Sequence, residues 1–240
     1  MRIVLIGYGK MGKVIEKIAL HRGHEVVERI DVSNGHRLGE LTRNDADVAI
    51  EFTQPESAYI NTKTCIEQGI PVVSGTTGWL EKKQEVEALC RAKGGAFFYA
   101  SNYSVGVNLF FQLNKYLARM MKPYTDYKVN VEEIHHTEKK DAPSGTAITL
   151  AEGLLDTFTE KTNWVNEASN QPHELPIVSL REHDVKGTHT IQYTSNIDDI
   201  EIKHTAHTRE GFASGTVMAA EWVHTKKGVF GMADMLNLEK

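Results

Sequence analysis

The first dozen residues, "MRIVLIGYGKMG", constrain this chain more than any other stretch. A short apolar run, Ile3 to Ile6, ends in three glycines spaced G-x-G-x-x-G. Met11, Val14, Ile15 and Ile18 then recur at helical spacing. A continuous apolar run suits a strand buried on both faces, and the recurrence suits a helix with one buried stripe. Gly7 permits a tight turn, Gly9 lets a pyrophosphate approach the backbone, and Gly12 lets helix and strand pack closely. The helix start offers free N–H groups and partial positive charge to phosphates. G-x-G-x-x-G alone is weak evidence. Here a strand precedes it, a helix follows, and the next strand, "EVVERID", ends in the acid Asp31, which is the context a dinucleotide site requires. Asp31 is placed to accept from a ribose 2′-hydroxyl, as in NAD sites. Arg29, His36 and Arg37 lie close enough in sequence to leave NADP open.

Three more strands are expected at "DVAIEF", "IPVVSG" and "AFFYAS", with helices at 56–69 and 79–93 between them. Alternating strands and helices imply a parallel sheet with right-handed crossovers. Ligands of such sheets lie beyond the carboxyl ends of the strands. Thr53, Gly75-Thr76-Thr77 and Ser101-Asn102 occupy those ends. The rhythm changes near residue 105. "VNLFFQLNKYLARMM" reads as an amphipathic helix, "YKVNVEEIHH" as an alternating strand and "PSGTAITLAEGLLDTF" as a helix. Several strands in succession follow, joined by "SNIDD". The tail from "GTVMAAEWV" to "GMADML" reads as helical throughout. The expected architecture is α/β: an N-terminal Rossmann-like dinucleotide-binding domain, residues 1–103 with 210–240, and an α+β substrate and oligomerisation domain, 104–209, on a mostly antiparallel or mixed sheet.

A net charge of −5 over 240 residues argues against general nucleic-acid binding. No apolar run is long enough to span a bilayer, and the N-terminal run lacks a cleavage site, so a cytoplasmic protein is expected. Cys65 and Cys90 lack C-x-x-C spacing and read as buried thiols in a reducing compartment.

The segment "EEIHHTEKKDAPSGTA" is a strand end, a turn and a helix start. Ser144 is a good N-cap, and the N–H groups of Gly145 and Thr146 form a ready carboxylate site. His135 and His136 would point to opposite faces if the strand continues, so they should have different roles, and a histidine can donate a proton near neutral pH. The histidines could instead be ordinary strand-end residues, and one lysine of Lys139-Lys140 could be merely solvated. A metal site is disfavoured, although His183, His189, His204 and His207 are available, because adjacent strand histidines do not easily share one ion.

This segment closely resembles the signature of the dihydrodipicolinate reductase family. "IGYGKMG", "VVSGTTGW" and "FFYASNYSVGVN" resemble its nucleotide loops, and "GFASGTVMAAEWV" and "GVFGMADML" its closing segments, so the resemblance runs nearly the whole chain. It implies reduction of a cyclic unsaturated dicarboxylate, 4-hydroxy-tetrahydrodipicolinate, to tetrahydrodipicolinate with NADH or NADPH in the diaminopimelate–lysine pathway. It implies His135 as proton donor and Lys139 as second acid or charge partner. His136, Ser144, Gly145 and Thr146 would hold substrate carboxylate. Gly7, Tyr8, Gly9, Lys10, Met11, Gly12, Asp31, Gly75, Thr76, Thr77, Ala100, Ser101, Asn102 and Tyr103 would line the cofactor. No metal is implied. The expected assembly is a homotetramer joined through the second-domain sheets, with no nucleic-acid or membrane partner. Arg209 would anchor a hinge or the cofactor.

The chain departs from the family pattern in two places. It is short after the second strand, and Glu182 and His183 stand where the family's Arg-Gly-Gly run has glycines. Two other functions use the same nucleotide loop: a different small-substrate NAD(P)-dependent dehydrogenase, or a non-catalytic cofactor-binding sensor.

Overall fold

The structure is a computed structural model that describes residues 1–208 and 210–238. Arg209, singled out above, lies outside the described residues. The chain divides into two compact units, Met1–Val105 with Glu210–Lys240, and Gly106–Arg209.

The first unit is a six-stranded parallel sheet. Its strands are β1 (Arg2–Ile6), β2 (Glu25–Ile30), β3 (Val48–Glu51), β4 (Val72–Ser74), β5 (Ala96–Tyr99) and β11 (Gly228–Phe230), in the order β11-β5-β4-β3-β1-β2. Its helices are α1 (Lys10–His21), α2 (Pro55–Glu67), α3 (Lys83–Lys93), α6 (Glu210–Val223) and the short α7 (Met232–Met235). The period of two along β1 sorts the core. Ile3 and Leu5 pack with Ile15 and Ala19 of α1 and Val217 and Ala220 of α6. Val4 and Ile6 pack on the opposite face with Ala58 and Ile66 of α2 and Val86 and Cys90 of α3. Both faces are therefore covered, which is why the strands read as continuous apolar runs. Cys65 and Cys90 are free and buried, and burial pushes both thiols up.

The tail corrects one expectation. It is not helical throughout, because β11 interrupts it and adds a sixth strand at the edge beside β5. Three residues, "GVF", are too few to show a period of two, so the sheet edge rather than local pattern makes this a strand.

The second unit carries α4 (Val105–Met121), β6 (Lys128–His135), α5 (Gly145–Leu155), β7 (Asn163–Val165), β8 (Glu174–Arg181), β9 (Thr188–Thr194) and β10 (Asp199–Thr205). Its sheet has the order β10-β9-β6-β8-β7 and is mixed: the first two pairings are antiparallel and the last two parallel. Val129, Val131, Ile177, Ile191 and Tyr193 face a core shared with Phe110, Leu117 and Ala118 of α4 and Leu150 and Leu154 of α5. The opposite face of β6 carries Asn130, Glu132 and Ile134, half-buried, beside Thr190 and the exposed Leu180.

Candidate active site

In the first unit the glycine loop separates into residues that packing demands and one that it does not. Gly7 has φ +94°, and a Cβ there would fall 1.9 Å from the Phe52 carbonyl oxygen. A Cβ on Gly12 would fall 2.3 Å from the Gly7 carbonyl oxygen. A Cβ on Gly9 would meet nothing within 4 Å. Gly9 is also the N-cap of α1 and brings no side-chain hydrogen bond, which leaves the helix start to a ligand. The loop therefore fits a dinucleotide pyrophosphate: tight behind, open in front. Lys10 is exposed beside it. The Tyr8 hydroxyl donates to Glu16, which also receives Arg29.

Asp31 follows the end of β2 and is exposed. Its Oδ1 accepts from the Ser33 hydroxyl at 2.6 Å and the Ser33 N–H at 2.8 Å, and these bonds hold its carboxyl below the usual range. Arg37 pairs with Glu28 at 2.7 Å, so both nearby arginines are engaged by carboxylates.

The ends of β3 and β4 meet on a buried acid that was not anticipated. Glu51 is 0% exposed and accepts from the Ser74 hydroxyl at 2.6 Å, the Thr76 hydroxyl at 2.8 Å and the Thr53 N–H at 2.9 Å. Beyond them Met11, Gly75, Thr76 and Thr77 border a cavity of 420 Å³. Phe52, Gln54 and Pro55 complete that border, and sequence reasoning had not proposed them. Only glycine fits at 75, since a Cβ there would fall 2.1 Å from the Phe52 ring.

After β5, Ala100 is buried, Ser101 is exposed, and the Asn102 side chain accepts from the Ser104 N–H at 2.9 Å. Tyr103 differs from its expected place among the cofactor-lining residues. Its side chain is 0% exposed, packs against Phe52, Phe98 and Phe212, and donates from its hydroxyl to the Ser74 carbonyl at 2.7 Å. It supports the end of β4 from within the core.

In the second unit the site grows out of sheet register. Side chains on one face of β6 come in rows with those of β8 and β9. The row of Val131, Ile177 and Ile191 is apolar. Two residues further along, Glu133 stands beside Ser179 and His189, and then His135 beside Arg181. The dry core thus passes into polar chemistry within two steps. Glu133 is 0% exposed, His189 5% and His135 7%.

Glu133 gathers this site. It accepts from the Ser179 hydroxyl at 2.8 Å and from the Ser144 N–H at 3.1 Å and 3.2 Å. His135 Nδ1 stands 3.4 Å and His189 Nε2 3.6 Å from the same carboxylate oxygen. Ser144 is the N-cap of α5; its hydroxyl accepts from the Ala147 N–H at 3.2 Å and lies 3.1 Å from His189 Nε2. A Cβ on Gly145 would meet nothing within 4 Å, so the start of α5 is as open as that of α1. Thr146 is half-buried beside it.

Burial alone would raise the Glu133 carboxyl. The approach of His189, hydrogen bonds from Ser144 and Ser179 and the charge of His135 outweigh it and lower the carboxyl to about 2. Burial is the main influence on His135 and lowers it to about 4, against the upward pull of Glu133. At neutral pH the pair is a carboxylate beside a neutral imidazole.

The strand ends at His135, so His136 is not its opposite-facing neighbour but the first residue of the turn, half-buried. Lys139 donates to Asp141 at 2.8 Å and 2.9 Å with a fifth of its side chain exposed, whereas Lys140 is exposed. Arg181 donates to the carbonyls of Lys139 and Asp141 at 3.4 Å and 2.8 Å, which holds the lysine's turn against β8. Glu133, Arg181, Ser179 and His189 are the functional neighbours that sequence reasoning did not assign to the site. Glu133, His135 and His189 bring ligand-type atoms within 4.8 Å of one another, close enough in distance alone to meet on one ion. Here the carboxylate of that set already accepts from Ser144 and Ser179.

Residues 1–103 match the family described as dihydrodipicolinate reductase, N-terminus, and residues 106–236 match dihydrodipicolinate reductase, C-terminus. The chain belongs to the dihydrodipicolinate reductase family. A 4-hydroxy-tetrahydrodipicolinate reductase of Christiangramia forsetii is 48% identical over 238 residues, covering 99% of this chain and 98% of that protein. One from Methanoregula boonei is 34% identical over 255 residues, covering 100% and 99%. Among solved structures, a dipicolinate-bound dihydrodipicolinate reductase from Paenisporosarcina sp. TG-14 superposes with a TM-score of 0.80 at 21% identity, covering 98% of each chain. That likeness extends the family's fold, a parallel nucleotide sheet followed by a mixed sheet, to this chain.

Proposed function

We propose that this protein reduces 4-hydroxy-tetrahydrodipicolinate to tetrahydrodipicolinate, a step of diaminopimelate and lysine biosynthesis. The observation that carries the reading is the convergence, inside one unit, of a buried histidine, a held lysine and an open capped helix start. NADH or NADPH, when bound, supplies the hydride. The 4-hydroxyl and a proton from the adjacent ring carbon leave as water, which creates the conjugated imine; hydride addition to it leaves an enamine, and the enamine takes up one proton.

His135 donates that proton. Its ring is neutral in the free protein at pH 7 because burial disfavours its charge. A dicarboxylate held at the start of α5 brings negative charge beside the ring and favours the imidazolium, so the proton is recruited with the substrate. Ser144, Gly145, Thr146 and His136 hold a substrate carboxylate, and Lys139 supplies the second positive charge. In the first unit the Gly7–Gly12 loop, Asp31, the Gly75–Thr77 loop and the segment Ala100 to Tyr103 hold the cofactor, Tyr103 through its backbone. Assembly into a homotetramer uses the half-buried outer face of the second-unit sheet, around Ile134 and Leu180, and the protein works in the cytoplasm. Among the described residues no helix is long and apolar enough to cross a membrane.

The test supplies enzymatically generated 4-hydroxy-tetrahydrodipicolinate and follows NADH and NADPH absorbance. The expected result is turnover that a planar pyridine dicarboxylate inhibits competitively. Cofactor binding without turnover, or turnover indifferent to the dicarboxylate, would sink the reading.

A further inference from the structure

The geometry points to Glu133 as the positioning residue of this site: a buried anion that fixes the proton on His135 Nδ1, leaves Nε2 as the donating atom, and ties the ring to the start of α5. The inference rests on the proposed reductase reading for its consequence in catalysis, but its structural core does not depend on the substrate.

Three observations converge on it. First, Glu133 has no exposed surface, and its ion pair with Arg181 is long: the guanidinium stands 3.9 Å away and donates to the carbonyls of Lys139, Asp141 and Leu180. A buried carboxylate is costly unless donors surround it. Two neighbouring elements supply one each, Ser179 from β8 and the Ser144 N–H from the start of α5, and His189 of β9 stands 3.6 Å away. Second, His135 Nδ1 is buried without a hydrogen-bond partner, and the carboxylate oxygen stands 3.4 Å from it. A hydrogen bond across that gap can be made only by an N–H at Nδ1, because the carboxylate has no proton to give. Third, Nε2 points elsewhere, toward Gly187, where a Cβ would fall 3.2 Å from it. The ring is thus turned with one nitrogen to the acid and the other away.

The titratable groups around this pair are few. His189 faces it from β9, with His204 of β10 acting on His189's side of the cluster. Arg181 faces it from β8, and Lys139, held by Asp141, from the turn. His189, Arg181 and Lys139 disfavour a charged His135; Glu133 favours it. Glu133 is therefore the group that lets the imidazolium form when substrate arrives. The same carboxylate holds Ser144, so the proton donor and the carboxylate-binding helix start share one anchor.

Two measurements test this. In ¹⁵N-labelled protein at pH 7, the His135 ring should show its proton on Nδ1; a ring protonated on Nε2 overturns the proposal, whatever the substrate proves to be. In steady state, Glu133→Gln should lower kcat by about a hundredfold, the low end of what a general acid contributes, with a much smaller change in KM. The alkaline limb of its kcat–pH profile should move to lower pH, because the imidazolium has lost its anion. Glu133→Asp should return the limb toward its original position even where kcat recovers only in part. A Glu133→Gln enzyme with wild-type kcat and an unmoved alkaline limb overturns the proposal. A wild-type protein with Nδ1–H but no turnover overturns the reductase reading instead.

Discussion

Glu51 and Glu133 make an instructive pair. Each is a glutamate on a strand, each is 0% exposed, and each gathers the loops of its unit's site. Their donors differ. Glu51 receives three hydroxyls, of Ser74, Thr76 and Thr53, and the Thr53 N–H, at 2.5–2.9 Å. Those groups keep their protons across the physiological range, so the network they form is framework. Glu133 receives comparable bonds from Ser179 and Ser144 but also faces two imidazoles, and an imidazole, unlike a hydroxyl, can gain a proton. A buried carboxylate with neutral, permanent donors holds a shape; one beside histidines also sets where a proton sits.

The largest effect expected from breaking this comparison is at the group Glu133 serves. His135→Gln should lower kcat by about 10²–10⁴, the range that general acid catalysis contributes, while KM for the dicarboxylate moves little. Full activity in His135→Gln would mean that the proton comes from elsewhere.

Next is the contrast between the two acids. Glu51→Gln should cost about 1–3 kcal/mol of stability, since an amide cannot accept all the bonds the carboxylate takes. It should raise KM for the cofactor, because the Thr53 and Thr76 ends lose their anchor, and leave the kcat–pH limbs in place. Thermal melting, cofactor KM and the pH profile together read this out. A shifted limb in Glu51→Gln would erase the distinction between framework and proton chemistry.

The pair also sets how stability responds to acid. The unfolded chain takes a proton on His135 near 6.5, whereas the folded protein takes it only near 4. The unfolded state therefore binds more protons in that window, and stability falls as pH drops through it. Glu133 then does the same between its unfolded value of 4.5 and about 2. Urea midpoints should decline from pH 7 to pH 4 in the wild type and decline less in His135→Gln. Equal slopes would show that His135 is not held neutral in the fold.

Much of this was legible in the chain itself, and the limits have physical causes. The glycine loop was readable because each glycine answers a local demand, and the structure adds only that Gly9 faces open space while Gly7 and Gly12 do not. Glu133 was within reach: in "KVNVEEIH" the period of two puts it on the face of Val129, Val131 and His135. An acid in a buried row asks for partners. Those partners, Ser179 and His189, come from strands about fifty residues away in sequence, set by register that no local pattern encodes. Glu51 ends an apolar run in the same way, and its donors also arrive from the neighbouring strand end. The burial of the Tyr103 side chain was not legible because a strand-end loop has two sides, and sequence does not say which one a side chain takes.

The smallest expected effect concerns an acid that is not buried. Asp31 is exposed, so its interaction with a ribose is screened by water. Its neighbours still bias the choice of cofactor. Arg29 is held by Glu16 and Arg37 by Glu28, so neither cation is free to meet a 2′-phosphate without breaking an ion pair. The Asp31 carboxyl, lowered by its Ser33 hydrogen bonds, stays charged and repels one. The ratio of kcat/KM for NADH over NADPH should therefore exceed one by about tenfold, the effect of roughly 1.4 kcal/mol, and Asp31→Asn should bring it toward one. A preference for NADPH in the wild type would place a free cation beside the ribose, and Arg29 released from Glu16 is the first candidate to test by substitution.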